Sequence, residues 1–202
     1  MADTDTPSAR CPWCEINDLE RHYHDTEWGV PEARDNVLFE FLILEGAQAG
    51  LSWDTMLKKR ENYRALFAGF DPKRVAAFSA SDEAALLMNA GIIRHRAKVA
   101  SAVTNAKLFL AIQAEHGTFA RYLWDFVDYK PIQNKWAQID DVPISTAISD
   151  ALSKDLKKRG FKFVGSTICY AYMQAVGLVN DHLTTCPRRA QVAKIGATFK
   201  CV

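Results

Sequence analysis

The chain has 202 residues, of which 49% are hydrophobic, enough for a sizeable core and too many for a disordered polymer. No apolar run is long enough to span a bilayer, and the polar opening Met1–Arg10 lacks the apolar stretch of a secretory signal. A formal net charge of +1 excludes a uniformly basic nucleic-acid binder and leaves only local basic patches for that purpose.

Taken in order, Met1–Arg10 reads as a flexible lead-in, and residues 11–202 as a single domain. Cys11–Ala33 is crowded with Cys, His and aromatic residues, has little helical periodicity, and is expected to be mostly loop with short turns. Asp35 stands where it can cap a helix with a core stripe of Val37, Leu38, Phe41, Leu42 and Leu44, ending near Gly46 and Gly50. Ser52 can cap a second helix over Trp53–Phe67. Asp71-Pro72 reads as an N-cap followed by proline at the first helical position, opening a short helix through Phe78. Ser81-Asp82 opens another, stopped by Gly91.

Periodicity predicts a helix over Arg94–His116, broken by Gly117, and an aromatic-rich helix over Thr118–Val127. Asp128–Pro143 reads as irregular. Ser145–Arg159 is the next helix, with Lys157, Lys158 and Arg159 in its last turn and Gly160 at its C-terminal cap. The last helix expected is Ser166–Gly177. Alternating strand patterns are nearly absent, so the expected class is all-α, one compact domain of many short helices.

Basic residues gather at Lys58-Lys59-Arg60, at Arg94-His95-Arg96 with Lys98, from Lys154 to Lys162, and at Arg188-Arg189; each run alone reads as a solvated helix face. The connection Gly160–Gly165 is a different matter. Its glycines permit a left-handed turn, and the first amides of the following helix, Ser166 and Thr167, can bind a phosphate. The spacing does not fit a P-loop, and an ordinary helix connection is the plain alternative.

Five cysteines without a signal fit a reducing compartment, where metal binding is the alternative use of a thiol. His182 and Cys186 are four residues apart, and Cys11, Cys14, His22 and His24 lie near the other end. A tetrahedral zinc ion needs four ligands, so one pair from each end would join the termini. Cys11-Pro12-Trp13-Cys14 is also a C-x-x-C, but no βαβ pattern accompanies it to support a redox role. Glu45 falls at the apolar end of a helix, where surface exposure is the plain reading and unpaired burial would be costly. Trp13, Tyr23, Trp28 and Trp53 suit either a core or a base-stacking pocket.

Together these segments resemble the DNA-3-methyladenine glycosylase I family, the constitutive alkylation-repair glycosylases of bacteria. The resemblance rests on Cys11-Pro-Trp13, on Tyr23-His24-Asp25-x-Glu27-Trp28-Gly29-Val30-Pro31, and on Leu44-Glu45-Gly46-x-Gln48-Ala49-Gly50-Leu51-Ser52-Trp53. It continues through Leu57–Arg64, Ala90–Arg96 and Ser149–His182, and covers nearly all the chain after Arg10.

The resemblance implies a helix-hairpin-helix glycosylase fold whose hairpin, Gly160 to Gly165, grips a DNA phosphate, with Lys162, Ser166 and Thr167 beside it. It implies one structural Zn2+ on Cys11, His24, His182 and Cys186. It implies a pocket in which Trp13 and Trp53 stack on a flipped base while Tyr23 and Glu45 hydrogen-bond its edge and serve the reaction. Leu51, at a Gly-Leu tip, is the expected wedge. The expected substrate is double-stranded alkylated DNA and the expected product free 3-methyladenine, from a monomeric cytoplasmic protein with no membrane partner.

Many helix-hairpin-helix glycosylases carry a catalytic Asp after the hairpin helix. Here Val179-Asn180-Asp181-His182 puts Asn180 at the corresponding position, with Asp181 one residue out of register and expected to point elsewhere. Asn is no carboxylate base. The expectation is a monofunctional glycosylase that relies on base recognition and on the lability of a cationic methylated base. A non-catalytic lesion sensor on the same scaffold, and a zinc-stabilised helical protein without DNA, are the competing readings.

Overall fold

The computed structural model describes residues 9–201. The lead-in expected over Met1–Arg10 therefore lies outside the described residues except for Ala9 and Arg10, and Arg10 pairs with Asp25 at 2.9 Å. The described chain is mostly helical, with ten α-helices: α1 Asp18–Thr26, α2 Asp35–Gln48, α3 Trp53–Leu66, α4 Pro72–Ala76, α5 Ala80–Met88, α6 Arg96–His116, α7 Phe119–Asp125, α8 Ala147–Arg159, α9 Ser166–Ala175 and α10 Pro187–Thr198. The sheet is a single parallel pair, β1 Ile132–Gln133 against β2 Val179–Asn180, in the register Ile132↔Val179. Two residues per strand are too few to show the alternation by which a strand is read from sequence.

Several capping residues act as the sequence reads. Ser52 Oγ accepts from Thr55 N–H at the start of α3, and Asp71 accepts from the N–H groups of Lys73 and Arg74 at the start of α4. Gly160 closes α8 in the left-handed region at φ 102°. The cap of α5 is Ser79 rather than Ser81, because Asp82 returns a hydrogen bond to the Ser79 N–H and completes a capping box.

Three expectations are corrected. Cys11–Ala33 is not mostly loop: a 3-10 turn at Pro12–Ile16 leads into α1, which Asn17 caps by accepting from Glu20 N–H. The face that α1 buries carries Glu20, Tyr23 and His24, polar and aromatic residues that give no apolar stripe. Asp35 does not cap its own helix. It accepts from Phe119 N–H and Ala120 N–H, both at 2.9 Å, and so caps α7 across the fold. A further helix, α10, follows β2 beyond the last one expected: with Val192 as its one buried residue it shows no apolar stripe, and Pro187 at its first position is its one sequence signal.

The core is centred on α2. Every residue from Leu38 to Ala47 is buried, and the helix packs on α3, α6, α7 and α9. A helix buried all round shows no amphipathic stripe and must be held at its ends. At its C-terminus Lys98 Nζ donates to Ala47 O at 2.8 Å and to Ala49 O at 2.7 Å. The segment before α2 is fastened to the end of α9: Gly29 N–H donates to Gln174 O at 3.0 Å and Glu32 N–H to Val176 O at 3.1 Å. Gly177 makes this approach possible, since a Cβ there would lie 2.4 Å from Pro31 N.

Candidate active site and metal cluster

The C-terminal turns of α2 place Glu45 on a cavity of about 250 Å³. α1 contributes Tyr23, the 3-10 turn Trp13, and the first turn of α3 Trp53; all four residues expected to meet the base line this one cavity. Tyr23 and Trp53 are 5.4 Å apart between ring centroids, and Trp13 meets Trp28, also on the lining, edge-on at 5.0 Å. Four aromatic rings, with Glu45 at the end of α2, make a mostly apolar slot of a size for one flat heterocycle.

Glu45 is buried, not surface-exposed, and among the described residues no hydrogen bond or ion pair reaches its carboxylate. Burial alone pushes its pKa up to about 8. Burial, and next the nearby Glu45, hold the Tyr23 hydroxyl protonated well above its usual range. An unpaired carboxylate in an apolar slot is costly unless a cation or a donor arrives to pair with it.

Asp181 departs from expectation. It does not point elsewhere: it is buried and lines the same cavity. Asn134 Nδ2 and Trp136 Nε1 donate to Oδ1 at 2.6 and 2.8 Å, while Tyr170 OH and Gln174 Nε2 donate to Oδ2 at 2.6 and 2.8 Å. With two donors on each oxygen, the carboxylate has little acceptor capacity left for a water or a sugar. Asn180 is fully buried behind the cavity, on β2, donating to Gln133 Oε1 at 2.8 Å and Arg189 O at 3.0 Å. The parallel pairing with β1 turns Asn180 away from the cavity and lets the next residue reach it. Gln48, Gln174 and Asp181 are lining residues that the sequence reading did not assign.

Leu51 follows Gly50, whose φ is 81°, in a turn closed by Leu51 N–H to Gln48 O at 2.7 Å. Its side chain is exposed between Gln48 and Trp53, both on the cavity lining. The connection from α8 to α9 lies close by, because Gly46 faces it: a Cβ on Gly46 would stand 3.2 Å from the Phe163 Cβ. Asn105 holds the connection from beneath, accepting from Lys162 N–H and donating to Lys162 O, both at 2.9 Å. Gly165 caps α9 at an ordinary φ of −63°, and a Cβ there would meet nothing within 4 Å.

Lys154, Lys157, Lys158, Lys162 and Thr167 are exposed around this connection. Two neighbours are committed elsewhere. Arg159 binds Asp155 at 2.7 Å and Glu115 at 2.8 Å, and the Ser166 hydroxyl is shared between Asp150 and Ser149. Only the backbone of Ser166 remains to meet a phosphate.

Cys11, His24, His182 and Cys186 assemble in the interior, their four ligand atoms all within 4.8 Å of one another. His22 is exposed and Cys14 donates its thiol to Cys11 O at 3.1 Å, so neither joins the cluster. His24 Nε2 and His182 Nδ1 are 3.1 Å apart, Cys186 Sγ is 3.5 Å from His24 Nε2, and Cys11 Sγ is 3.8 Å from His182 Nδ1. Bond lengths of about 2.0 Å to nitrogen and about 2.3 Å to sulfur at tetrahedral angles require separations of roughly 3.3 to 3.8 Å. The tautomers agree with this geometry. His24 Nδ1 meets Asp25 Oδ1 at 2.8 Å and His182 Nε2 meets Trp28 O at 3.1 Å, so both inner nitrogens are left as acceptors. The residues present fit a four-coordinate ion closed off from solvent.

A family model described as methyladenine glycosylase matches residues 13–189. The chain is 52% identical over 177 residues to DNA-3-methyladenine glycosylase 1 of Escherichia coli (strain K12), covering 88% of this chain and 95% of that one. It superposes on a crystal structure of 3-methyladenine DNA glycosylase I with a TM-score of 0.86 at 55% identity, covering 89% of this chain and 98% of that one. A singly substituted 3-methyladenine DNA glycosylase I in complex with 3-methyladenine matches with a TM-score of 0.84 at 36% identity, over 86% and 94% of the two chains. A slot of aromatic rings around one unpaired carboxylate, on a chain related this closely along nearly its whole length, leaves one conclusion: the chain belongs to the methyladenine glycosylase family.

Proposed function

We propose that the chain is a monofunctional DNA glycosylase of base-excision repair that flips 3-methyladenine out of alkylated duplex DNA and releases it by hydrolysis. The observation that carries this reading is Glu45, a buried carboxylate without a partner in an aromatic slot. Methylation at N3 makes the base cationic, and so supplies the charge that this carboxylate lacks. Trp13 and Trp53 stack on the base, and Tyr23 and Glu45 bond its edge. Binding the cation returns Glu45 to its ionised form, a charge-assisted contact that normal, neutral bases do not make.

The methylated base is already a good leaving group, so recognition and exclusion of other bases carry most of the task. Asp181 is too fully bonded to act as a general base, and among the described residues no lysine lines the cavity to form a Schiff base. Leu51 fills the gap left in the duplex, which offsets part of the few kcal/mol that flipping costs. The helix-hairpin-helix formed by α8, Gly160–Gly165 and α9 grips the backbone through the amides after Gly165, aided by Lys162. Zn2+ would be held by Cys11, His24, His182 and Cys186 and would supply a cross-link between the two ends of the chain.

No helix among the described residues is long and apolar enough to cross a membrane. A monomer acting in the cytoplasm is part of the same proposal. The test is direct. The zinc-loaded protein, incubated with methylated duplex DNA, is expected to release free 3-methyladenine and leave the strand intact. Tight binding to the lesion without release would replace this reading with that of a sensor.

A further inference from the structure

We propose that Gln174 is a specificity-determining residue, whose side-chain oxygen accepts the second N–H of the exocyclic amine that Glu45 engages by the first. The inference rests on the glycosylase reading and adds to it a residue and a direction of hydrogen bonding.

The argument begins with Asp181. A carboxylate only accepts, and Oδ2 of Asp181 lies 2.8 Å from the Gln174 amide nitrogen. The amide is thereby fixed: its NH2 faces Asp181 and its oxygen faces the other way, on a residue that lines the cavity. Asp181 is itself immobilised, since Asn134, Trp136 and Tyr170 hold its remaining acceptor sites. Gln174 therefore cannot turn its amide without leaving a buried carboxylate short of a donor, which is unfavourable. Among the described residues the Gln174 oxygen has no partner.

With a cationic base in place and Glu45 ionised, the cavity offers two acceptors without partners in the chain, the Glu45 carboxylate and Gln174 Oε1, on different helices, α2 and α9. An exocyclic amine carries two N–H groups and suits such a pair. A keto group at the same position, as in guanine or hypoxanthine, would set an oxygen against the fixed Gln174 acceptor and be disfavoured. A buried charge with four neutral donors and no cationic partner has no obvious value as a fold stabiliser. As the group that sets the orientation of Gln174, Asp181 is a positioning residue.

Gln174→Met keeps the volume and removes the acceptor. Binding of free 3-methyladenine and of free 3-methylpurine, which lacks the amine, is measured by calorimetry on the folded, metal-loaded wild type and variant. The variant is expected to lose about tenfold in affinity for 3-methyladenine, the worth of a hydrogen bond of about 1.4 kcal/mol, and nothing for 3-methylpurine. Gln174→Leu supplies the same comparison should the Met variant not fold. An equal loss for both bases, or no loss for either, overturns the role of Gln174 while leaving the glycosylase reading in place. A wild type that binds neither base overturns that reading first.

Discussion

His24 Nε2 and His182 Nδ1 face each other at 3.1 Å across the interior, while the other ring nitrogens meet Asp25 Oδ1 at 2.8 Å and Trp28 O at 3.1 Å. Two lone pairs at that separation repel unless a cation lies between them. An ion held there would couple metal binding to the joining of the chain ends, and chelation is expected to lower the unfolding midpoint by much more than an average point substitution, worth about 1 kcal/mol, would. His24→Ala and Cys186→Ala should lose the metal and the same stability. Metal content near one ion per chain, read beside the thermal midpoint, checks this; variants that stay fully stable with metal bound would refute the ligand set.

Asp25 gives a finer test of the same cluster. It accepts from His24 Nδ1 at 2.8 Å and from Arg10 Nε at 2.9 Å, and so fixes the ring whose Nε2 faces the cluster. Carboxylates in this position are worth about 10- to 100-fold in metal affinity. Asp25→Asn should weaken zinc binding in that range in a competition titration, with the cavity aromatics and base affinity unchanged once metal is saturating.

Glu45 makes stability depend on pH in a stated direction. Its folded-state pKa, near 8, lies above the ordinary 4.5, so between those values the folded chain retains a proton that the unfolded chain has released. The stability tied to this group is fully present below pH 4.5 and declines as pH rises through 8, at about 1.36 kcal/mol per unit. Glu45→Gln does not titrate. Its midpoint should match the wild type near pH 5 and exceed it increasingly toward pH 8.5, and a difference that stays flat with pH would contradict the buried, unpaired state. The same variant should excise 3-methyladenine on the order of tenfold more slowly or worse, because a neutral amide makes a weaker bond to a cationic base than a carboxylate does.

How far the sequence could be read follows from the kind of signal each residue gives. Ser52, Asp71 and Gly160 act locally, and their roles are legible because a cap is decided by its own neighbours. Asp35 looks identical in sequence and yet caps α7, more than 80 residues on, because packing of α2 against α7 brings the donors to it. The residues expected to meet the base and those expected to hold the metal come together only through resemblance; spacing alone leaves Cys14 and His22 as equal candidates, and the fold separates them, since His22 is exposed and the buried Cys14 turns its thiol to Cys11 O. The side that Asp181 faces is not legible, because a one-residue offset reverses the side of a strand and the two-residue β2 that sets that side leaves no pattern to read.

Gly165 allows the proposed grip on DNA to be tested apart from folding. Its φ is ordinary and a Cβ would meet nothing in the chain, so neither backbone strain nor packing requires glycine there. At Gly160 the φ of 102° does require it. Gly160→Ala should therefore cost stability, roughly 1–2 kcal/mol, by forcing a side chain into left-handed backbone. Gly165→Ala should keep the wild-type midpoint and yet lose affinity for duplex DNA, since the methyl group would stand where a phosphate must approach the α9 amides. Affinity for free 3-methyladenine, which needs only the cavity, should be untouched. The slope of log affinity against log salt is the decisive reading: it should become shallower by about one phosphate contact in Gly165→Ala. An unchanged slope with full DNA affinity would remove the connection between α8 and α9 from the DNA interface.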